Sequence, residues 1–586
     1  MSGDTLVYDL STMTEGTPQV FVKKDWLNIL DNQNGNYQGN QSVIDTSQLA
    51  NSNKYMNYRE AYLAVPMLLT ASSSAGGSFF ATTGAVNSAT SADLCFGLKN
   101  WFGSIIHSFT LDYNGTTIIQ QTSFSSMYNC FRLMTTLSLN DVAVNGADMG
   151  FYPDDPLAWG YSTAGTDAGI GTVNNANAGA FPIVSAVFAN YDQTNLGFLK
   201  RQQYIAFDLQ AIAGVVSGTT PANSLTYGAL FTAQSANQQY KSYIFNKTQT
   251  SIQYAIMATI HLKHIHNFFQ NVPLLKGVFM KATINLNQTS VVLTTATGGT
   301  TTATYGVAGV ATTGTSVEVQ SALGGVSPIM IASAKAQAGL ALNAVAGTTI
   351  VSLAVGSRPT NPQQSVNGTT IQQSPFTNSI QLYVPAYTFA PSYEDAYLSS
   401  PVKTVVYTDI YQYQFSVVGG SSSGSFNQLI TNGIANIKSV LVIPYYTAGD
   451  NGGLQPYQSP FDDAGAGSTS PLCLLTNFNV VVAGANMIYN TQQRSYEQFL
   501  HQLRGCNAVN ADMTDGLTSG LIDKLGFEMK QCFYYVDCSR MLPVEEAVPK
   551  SVSIIGTNNS QKALNFFVFV EYGVQVSIDV LTGSRV

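Results

Sequence analysis

Two stretches of this chain, Phe109–Thr136 and Phe478–Arg504, carry the same local signals in the same order. In each, a strand-like apolar run meets a glycine turn, Asn114-Gly115 in the first copy and Ala483-Gly484 in the second. Asn-Gly between apolar runs predicts a type I′ hairpin, because both central residues of that turn need positive φ. Apolar residues at helical spacing follow in both copies, so we expect a hairpin and then a helix.

The likeness extends in both directions from these stretches. Upstream, Glu60–Leu69 matches Ile437–Tyr446, and each contains a proline after an apolar strand. Downstream, Leu274–Ser290 loosely matches Val548–Gln561. Three landmarks in the same order indicate one β-rich module used twice, at a period far too long for a solenoid.

Many short strand patterns, frequent turn signals and one or two helices per module predict an all-β sandwich of jelly-roll type. We place an N-terminal arm at residues 1–20, a first module at 21–395 and a second at 396–586. The preferred junction is Ala390–Pro401, which two prolines bracket. Loop-rich insertions are expected near 140–248 and 290–377, and we interpret them as candidate outer towers.

Charged residues make up only 10% of the chain and aromatic residues 11%. A disordered chain would be poor in aromatic residues and rich in charge, so we expect a rigid protein whose surface is largely buried against neighbours. The net charge is −8 and neither end carries a Lys/Arg-rich arm. Because phosphate binding needs clustered cations, we expect no sequence-specific nucleic-acid binding.

The cysteine spacing and the distribution of apolar segments predict neither a disulfide framework, nor a secretory signal, nor a membrane span. Six cysteines in 586 residues without regular spacing do not indicate a disulfide framework. The first residues lack a basic segment followed by an apolar one, so we expect no secretory signal. No run approaches the roughly 18 apolar residues of a membrane span. Whether a membrane is a partner stays open.

Two segments, Asp31–Pro66 and Leu382–Gln414, resemble the double jelly-roll major capsid proteins of polinton-like viruses and virophages, distant relatives of the adenovirus hexon. The resemblance implies two consecutive eight-stranded jelly rolls with long loop insertions and a few short helices. It also implies a homotrimer that forms a pseudo-hexagonal capsomer, and an icosahedral shell around double-stranded DNA. The implied partners are neighbouring capsomers, a penton protein and minor capsid or cement proteins. The implied location is the virion, assembled inside the host cell.

Two motifs could carry chemistry. Gly420–Gly424 matches the G-x-S-x-G nucleophile pattern, but it lies in a Ser/Gly run, so a flexible loop is the better interpretation. His261, His264 and His266 have a spacing that could bind a transition metal. On a strand, His264 and His266 would share a face and His261 would point away. With no carboxylate nearby in the sequence, we interpret the three histidines as structural or as part of an interface.

The remaining candidates have simpler interpretations. Cys532 and Cys538 lie too far apart on a strand for a disulfide and are interpreted as buried thiols. Asn246 and Asn367 begin glycosylation-like triplets that a chain rich in Asn and Thr contains by chance. Adjacent carboxylates are interpreted as solvated loop charges: Glu394-Asp395, Asp462-Asp463 and Glu545-Glu546. We therefore predict no catalytic, cofactor-binding or metal-binding residues, and no cofactor.

The leading hypothesis is a structural major capsid protein without catalysis. One alternative is a jelly-roll carbohydrate-binding protein or adhesin, in which some of the 31 tyrosines stack on sugars. Another is a glycan hydrolase on a β-sandwich, which would need a pair of carboxylates that no spacing singles out. The oligomeric state separates these hypotheses, because a capsid subunit should run as a trimer or larger.

Overall fold

A computed structural model describes residues 20–73, 94–153, 251–295, 314–321, 328–333, 347–356, 379–418, 424–446, 475–488, 495–507, 521–539 and 547–585, with gaps of up to five residues inside these ranges. It also describes short strands between residues 159 and 372. The candidate residues Cys532, Asn246 and Asn367 lie outside the described residues, as do both Asp462-Asp463 and Glu545-Glu546.

Eight antiparallel strands in the first part of the chain form a jelly roll. Their order is β1-β8-β3-β6 in one sheet and β2-β7-β4-β5 in the other, so the chain crosses repeatedly between two packed layers. The strands are β1 (Phe21–Leu30), β2 (Gln41–Asp45), β3 (Tyr62–Ser73), β4 (Ile106–Tyr113), β5 (Thr116–Ile119), β6 (Ser251–His261), β7 (Met280–Leu286) and β8 (Gln381–Phe389).

Eight further strands repeat this topology. Their order is β9-β16-β11-β14 and β10-β15-β12-β13, so each strand of the first jelly roll corresponds to the strand numbered eight higher. The strands are β9 (Val402–Val417), β10 (Gly424–Ile434), β11 (Ile437–Tyr446), β12 (Leu475–Val482), β13 (Ala485–Asn486), β14 (Tyr534–Asp537), β15 (Lys550–Asn558) and β16 (Leu564–Asp579). The predicted fold class, two consecutive eight-stranded jelly rolls, is confirmed.

The two glycine turns occupy equivalent places in this topology. Asn114 and Gly115 connect β4 to β5 with φ of 48° and 79°, and Ala483 and Gly484 connect β12 to β13 with φ of 50° and 83°. Positive φ at both central residues is the signature of the predicted type I′ turn. Alanine is an uncommon residue in this conformation.

The loops between jelly-roll strands contribute strands of their own. Thr289–Thr295, Gly314–Ser321 and Gly347–Val355 extend the first sheet beyond β3. A separate six-stranded sheet combines strands from three loops of the first jelly roll, which brings both long insertions together: Gln202–Tyr204, Leu94–Leu98, Ile329–Ser333, Pro182–Val184, Trp159–Thr163 and Thr166–Ala168. Smaller pieces pair locally: Thr302–Ala303, Tyr55–Met56, Tyr243–Phe245, and Gln363–Val366 with Thr369–Gln372.

Among the residues that the structure describes, helices are few and short. They are α1 (Ser47–Ala50), α2 (Ser125–Thr136), α3 (Leu139–Met149), α4 (Leu262–Ile265), α5 (Phe268–Asn271), α6 (Pro391–Leu398) and α7 (Tyr496–Asn507), with one 3₁₀ turn at Phe102–Ile105. Helices α2 and α7 follow the two hairpins, as predicted. Helix α6 lies between the last strand of the first jelly roll and the first strand of the second.

Helix α3 occupies residues where the sequence analysis expects a loop-rich insertion. Ser138 and Asp141 form a capping box at its start, and Gly150 ends it in the left-handed conformation. Val142, Gly146 and Met149 form its buried face, whereas Leu139 and Val144 are exposed. Among the described residues, no helix is long and apolar enough to cross a membrane.

Candidate functional site

The sequence motifs do not assemble into a reactive site in the part of the chain that the structure describes. Gly420–Ser423 lie outside that part, and Gly424 begins β10. Cys538 is a buried thiol that donates to the Val536 carbonyl at 3.8 Å. Glu394 accepts hydrogen bonds from the Tyr55 hydroxyl at 2.9 Å and from the Lys276 ammonium at 3.3 Å. No group of three His, Cys, Asp or Glu side chains suited to a metal ion occurs among the described residues.

The three histidines are not arranged as they would be on a strand. Strand β6 ends at His261 and α4 begins at the next residue, so His264 lies on a helix and the strand geometry does not apply to it. The rings of His261 and His264 are 5.9 Å apart. Burial, reinforced by nearby positive groups, lowers the pKa of His264 to about 3.

Carboxylates that are distant in the sequence lie beside two of these histidines, contrary to expectation. His261 Nε2 is 2.8 Å from Asp148 Oδ2 on α3, near the surface. His266 Nε2 is 3.4 Å from Asp409 Oδ1, and both of these side chains are buried. The two pairs therefore occupy different environments, one on the surface and one between the jelly rolls.

The contact between the two jelly rolls, which we call the seam, is built around α2. This helix is buried on nearly all sides, whereas a helix on a protein surface usually exposes one face. One side packs on the first jelly roll, and the other covers the outward face of the second jelly roll's β9-β16-β11-β14 sheet. The ring pairs that cross the seam include Phe124–Phe567 at 5.1 Å, Tyr128–Phe569 at 6.0 Å and Phe131–Tyr535 at 5.1 Å.

Hydrogen bonds accompany the aromatic contacts at the seam. The Tyr407 hydroxyl of β9 donates to the Ile118 carbonyl at 2.7 Å. The Thr122 hydroxyl donates to the Ile410 carbonyl at 2.6 Å. Burial raises the pKa of the Tyr407 phenol well above its usual value, so this group stays a donor. These two buried hydroxyl groups are thus paired across the seam.

The free edge of β9 is covered by asparagine side chains. The side-chain Oδ1 of Asn267 accepts a hydrogen bond from the Thr408 N–H at 3.2 Å. The side-chain amide of Asn271 donates one to the Val406 backbone carbonyl at 2.8 Å. An uncovered edge strand is a template for unwanted strand pairing. These bonds satisfy edge groups of the second jelly roll with side chains of the first.

The ends of β9 and β16 form a two-stranded strap onto the first jelly roll. Strand β11 pairs with β16 only as far as Tyr572, whereas β9 pairs with it as far as Asp579. The change occurs at Gly573, where a Cβ would lie 2.3 Å from the Asn436 amide nitrogen. Beyond it, the Lys276 N–H donates to the Val580 carbonyl at 3.0 Å. The strap's buried apolar side chains join the hydrophobic core of the first jelly roll.

Equivalent sheet faces of the two jelly rolls have different environments. In the second jelly roll, the outward side chains under α2 are at most 6% exposed: Leu441, Ile443, Tyr535, Phe567 and Phe569. The corresponding face of the first jelly roll, which we call the open face, carries Trp26, Tyr62, Tyr383, His261 and Met257. Trp26 is 50% exposed and Met257 38% exposed. The Tyr62 and Tyr383 rings stack at 5.0 Å, and Trp26 lies 5.7 Å from Tyr62.

These features define the class of protein as a double jelly roll in which one module covers a sheet of the other. The two jelly rolls together extend from β1 to β16. The side chains at the seam belong to one hydrophobic core shared by both modules.

Comparison with solved structures finds viral capsid proteins. No family model matches the sequence, and no curated protein matches it significantly. The Sputnik virophage cryo-EM structure has a TM-score of 0.48 and 10% identity, over 98% of this chain and 90% of that chain. The mavirus major capsid protein has a TM-score of 0.42 and 9% identity, over 100% and 94%. The Faustovirus major capsid protein has a TM-score of 0.39 and 10% identity, over 97% and 94%. Each of these alignments extends over nearly the whole chain.

Proposed function

We propose that this protein is a structural major capsid protein whose chains assemble as trimers into pseudo-hexagonal capsomers. One observation carries the proposal: equivalent faces of the two jelly rolls are fully covered in one case and partly exposed in the other. The covered face lies under α2 of the same chain, and the open face presents Trp26 at 50% exposure. Within the chain, the first module covers this sheet of the second module. We infer that the second module covers the equivalent open sheet of the first module in another copy.

The proposed contact joins the second jelly roll of one chain to the open face of the next. Such a head-to-tail contact closes into a ring when the rotation between copies allows it. Two similar modules in each of three chains give six similar positions, which fits a hexagonal outline. Aromatic residues such as Trp26 and Tyr62 are the side chains that commonly dominate interface energetics.

The wider assembly follows from the same proposal. Capsomers tile an icosahedral shell around a double-stranded DNA genome, with penton and minor capsid or cement proteins as further partners. The protein is localised to the virion and has no catalytic role. The net charge of −8 supports indirect contacts with the genome. We also propose that the modules span 21–395 and 396–586 after an arm at 1–20, and that the insertions near 140–248 and 290–377 build the outer tower.

Light scattering after size-exclusion chromatography tests the trimer, and negative-stain microscopy tests its outline. We expect a mass of three chains and hexagonal particles. Trp26→Glu should weaken the trimer by at least about 30-fold, because it buries a charge where a hot-spot aromatic residue packed. Leu429→Glu is the matched control, since Leu429 is also 50% exposed but lies on β10, away from the open face.

Two outcomes would contradict the proposal. A wild-type protein that stays monomeric at high concentration would contradict the proposed trimer. Specific binding of a glycan by that monomer, abolished by Trp26→Glu, would instead favour the carbohydrate-binding alternative, which the exposed Trp26 also permits.

A further inference from the structure

The seam contains a carboxylate with almost no exposure to water. Asp409 of β9 is 2% exposed. Its Oδ2 accepts a hydrogen bond from the Gln120 N–H of the first jelly roll at 3.2 Å, and its Oδ1 accepts one from the Ile410 N–H at 2.8 Å. Isolated carboxylates are rarely buried, because leaving water is costly unless donors replace it. One of these donors comes from the other module.

His266 supplies a further contact from the first jelly roll. Its Nδ1 accepts a hydrogen bond from the Phe268 N–H at 3.2 Å, so the ring proton is assigned to Nε2. That nitrogen is directed at Asp409 Oδ1 from 3.4 Å and makes no hydrogen bond. Tyr572 on β16 also lies beside this carboxylate, and the pKa of its phenol is raised by burial and by the Asp409 charge.

The apolar part of the seam is less demanding about alignment than its hydrogen bonds. Rings and aliphatic side chains gain similar free energy in several offsets, since apolar burial is non-directional. A slide of the second jelly roll against the first would move Asp409 away from the Gln120 N–H and leave a buried carboxylate with fewer donors. Buried polar groups that fix register are well attested in other folds.

We propose that Asp409 is a positioning residue that selects one relative orientation of the two jelly rolls. This role concerns the single chain, so it goes beyond the capsid proposal and does not depend on it. By fixing the seam before any assembly, Asp409 would present the open face at a constant angle to the second module.

The test measures the distance between the two modules in the full chain. Spin labels are introduced as non-canonical amino acids at two exposed positions, Lys281 on β7 and Asn427 on β10. The wild type should give one narrow distance distribution and one calorimetric transition. Asp409→Leu should broaden or split the distribution and separate the transitions, while the far-ultraviolet circular dichroism stays unchanged.

Asp537→Asn is the matched control, because Asp537 is 4% exposed but lies within the second jelly roll, where its Oδ1 accepts from the Ser539 N–H at 2.9 Å. It should lower stability yet keep the single distance. If Asp409→Leu does not fold, Asp409→Asn, which keeps the side-chain shape, carries the test. An Asp409 variant that folds and retains both the single narrow distance and the single transition would overturn the proposal.

Discussion

Phe131 of α2 packs against Tyr535 of β14 with ring centroids 5.1 Å apart, although each residue belongs to a different jelly roll. Phe131 also contacts Phe533 at 5.6 Å and is 2% exposed. Side chains of the second module thereby complete a hydrophobic core that begins in the first. The seam is therefore part of the folding core, and its disruption should affect the whole chain.

Truncation of Phe131 should be strongly destabilising. Phe131→Ala removes a buried ring and leaves a cavity, so we expect the free energy of unfolding to fall by about 3–5 kcal/mol. Urea denaturation followed by tryptophan fluorescence measures this. Val144→Ala is the control, because Val144 is 69% exposed on α3, and it should change stability by less than about 0.5 kcal/mol. A loss below about 1 kcal/mol for Phe131→Ala would mean that the seam packs loosely.

The two hairpin glycines should respond alike. Gly115 and Gly484 have φ of +79° and +83°, and a Cβ at either would meet open space. Alanine at each should therefore cost about 1–2 kcal/mol through backbone strain alone. Gly39→Ala and Gly433→Ala are controls, because their added Cβ atoms also meet nothing and neither has positive φ. Clearly unequal costs at Gly115 and Gly484 would show that the two turns are not equivalent.

Acid should weaken the fold through His107. Burial lowers the pKa of His107 to about 4, whereas an unfolded histidine titrates near 6.5. Between these values the unfolded chain binds a proton that the folded chain does not, so stability falls as pH falls, by at most about 1.4 kcal/mol per pH unit. As pH is lowered from about 6.5 to about 4, the Tm of His107→Gln should fall less than the Tm of the wild type. Each protein is compared with its own Tm at pH 8. An unchanged slope would contradict this assignment.

Asp31 should act in the opposite direction. It is 5% exposed, and burial raises the pKa of its carboxyl group above the usual value. The contribution of Asp31 to stability is greatest below the pKa that its carboxyl group has in the unfolded chain. It is lost as pH rises through the higher pKa of the folded protein. Asp31→Asn keeps an acceptor for the Gln33 N–H, which now donates to Asp31 Oδ2 at 3.1 Å. We expect the variant to gain stability over the wild type as pH rises from 3 to 7, measured by thermal melts. A constant difference across that range would contradict the prediction.

Local signals in the sequence predicted the repeated elements well. Asn114-Gly115 predicted its hairpin because the turn geometry is set by the residues within it. The prolines Pro66 and Pro444 mark the equivalent strands β3 and β11, which supported the duplication. Helix α3 was missed because the exposed apolar residues Leu139 and Val144 obscure its helical pattern. The Ser138–Asp141 capping pair and Gly150 could have revealed it.

The sequence by itself determined the strands, the turns and their duplication, since these depend on side-chain alternation and on φ preferences within a few residues. Only the tertiary structure decided which sheet face is covered and which is open. It also decided that Asp409 meets the Gln120 N–H and His266. These partners are far apart in the chain, so no local pattern encodes their contact. The packing of α2 against the second jelly roll brings them together.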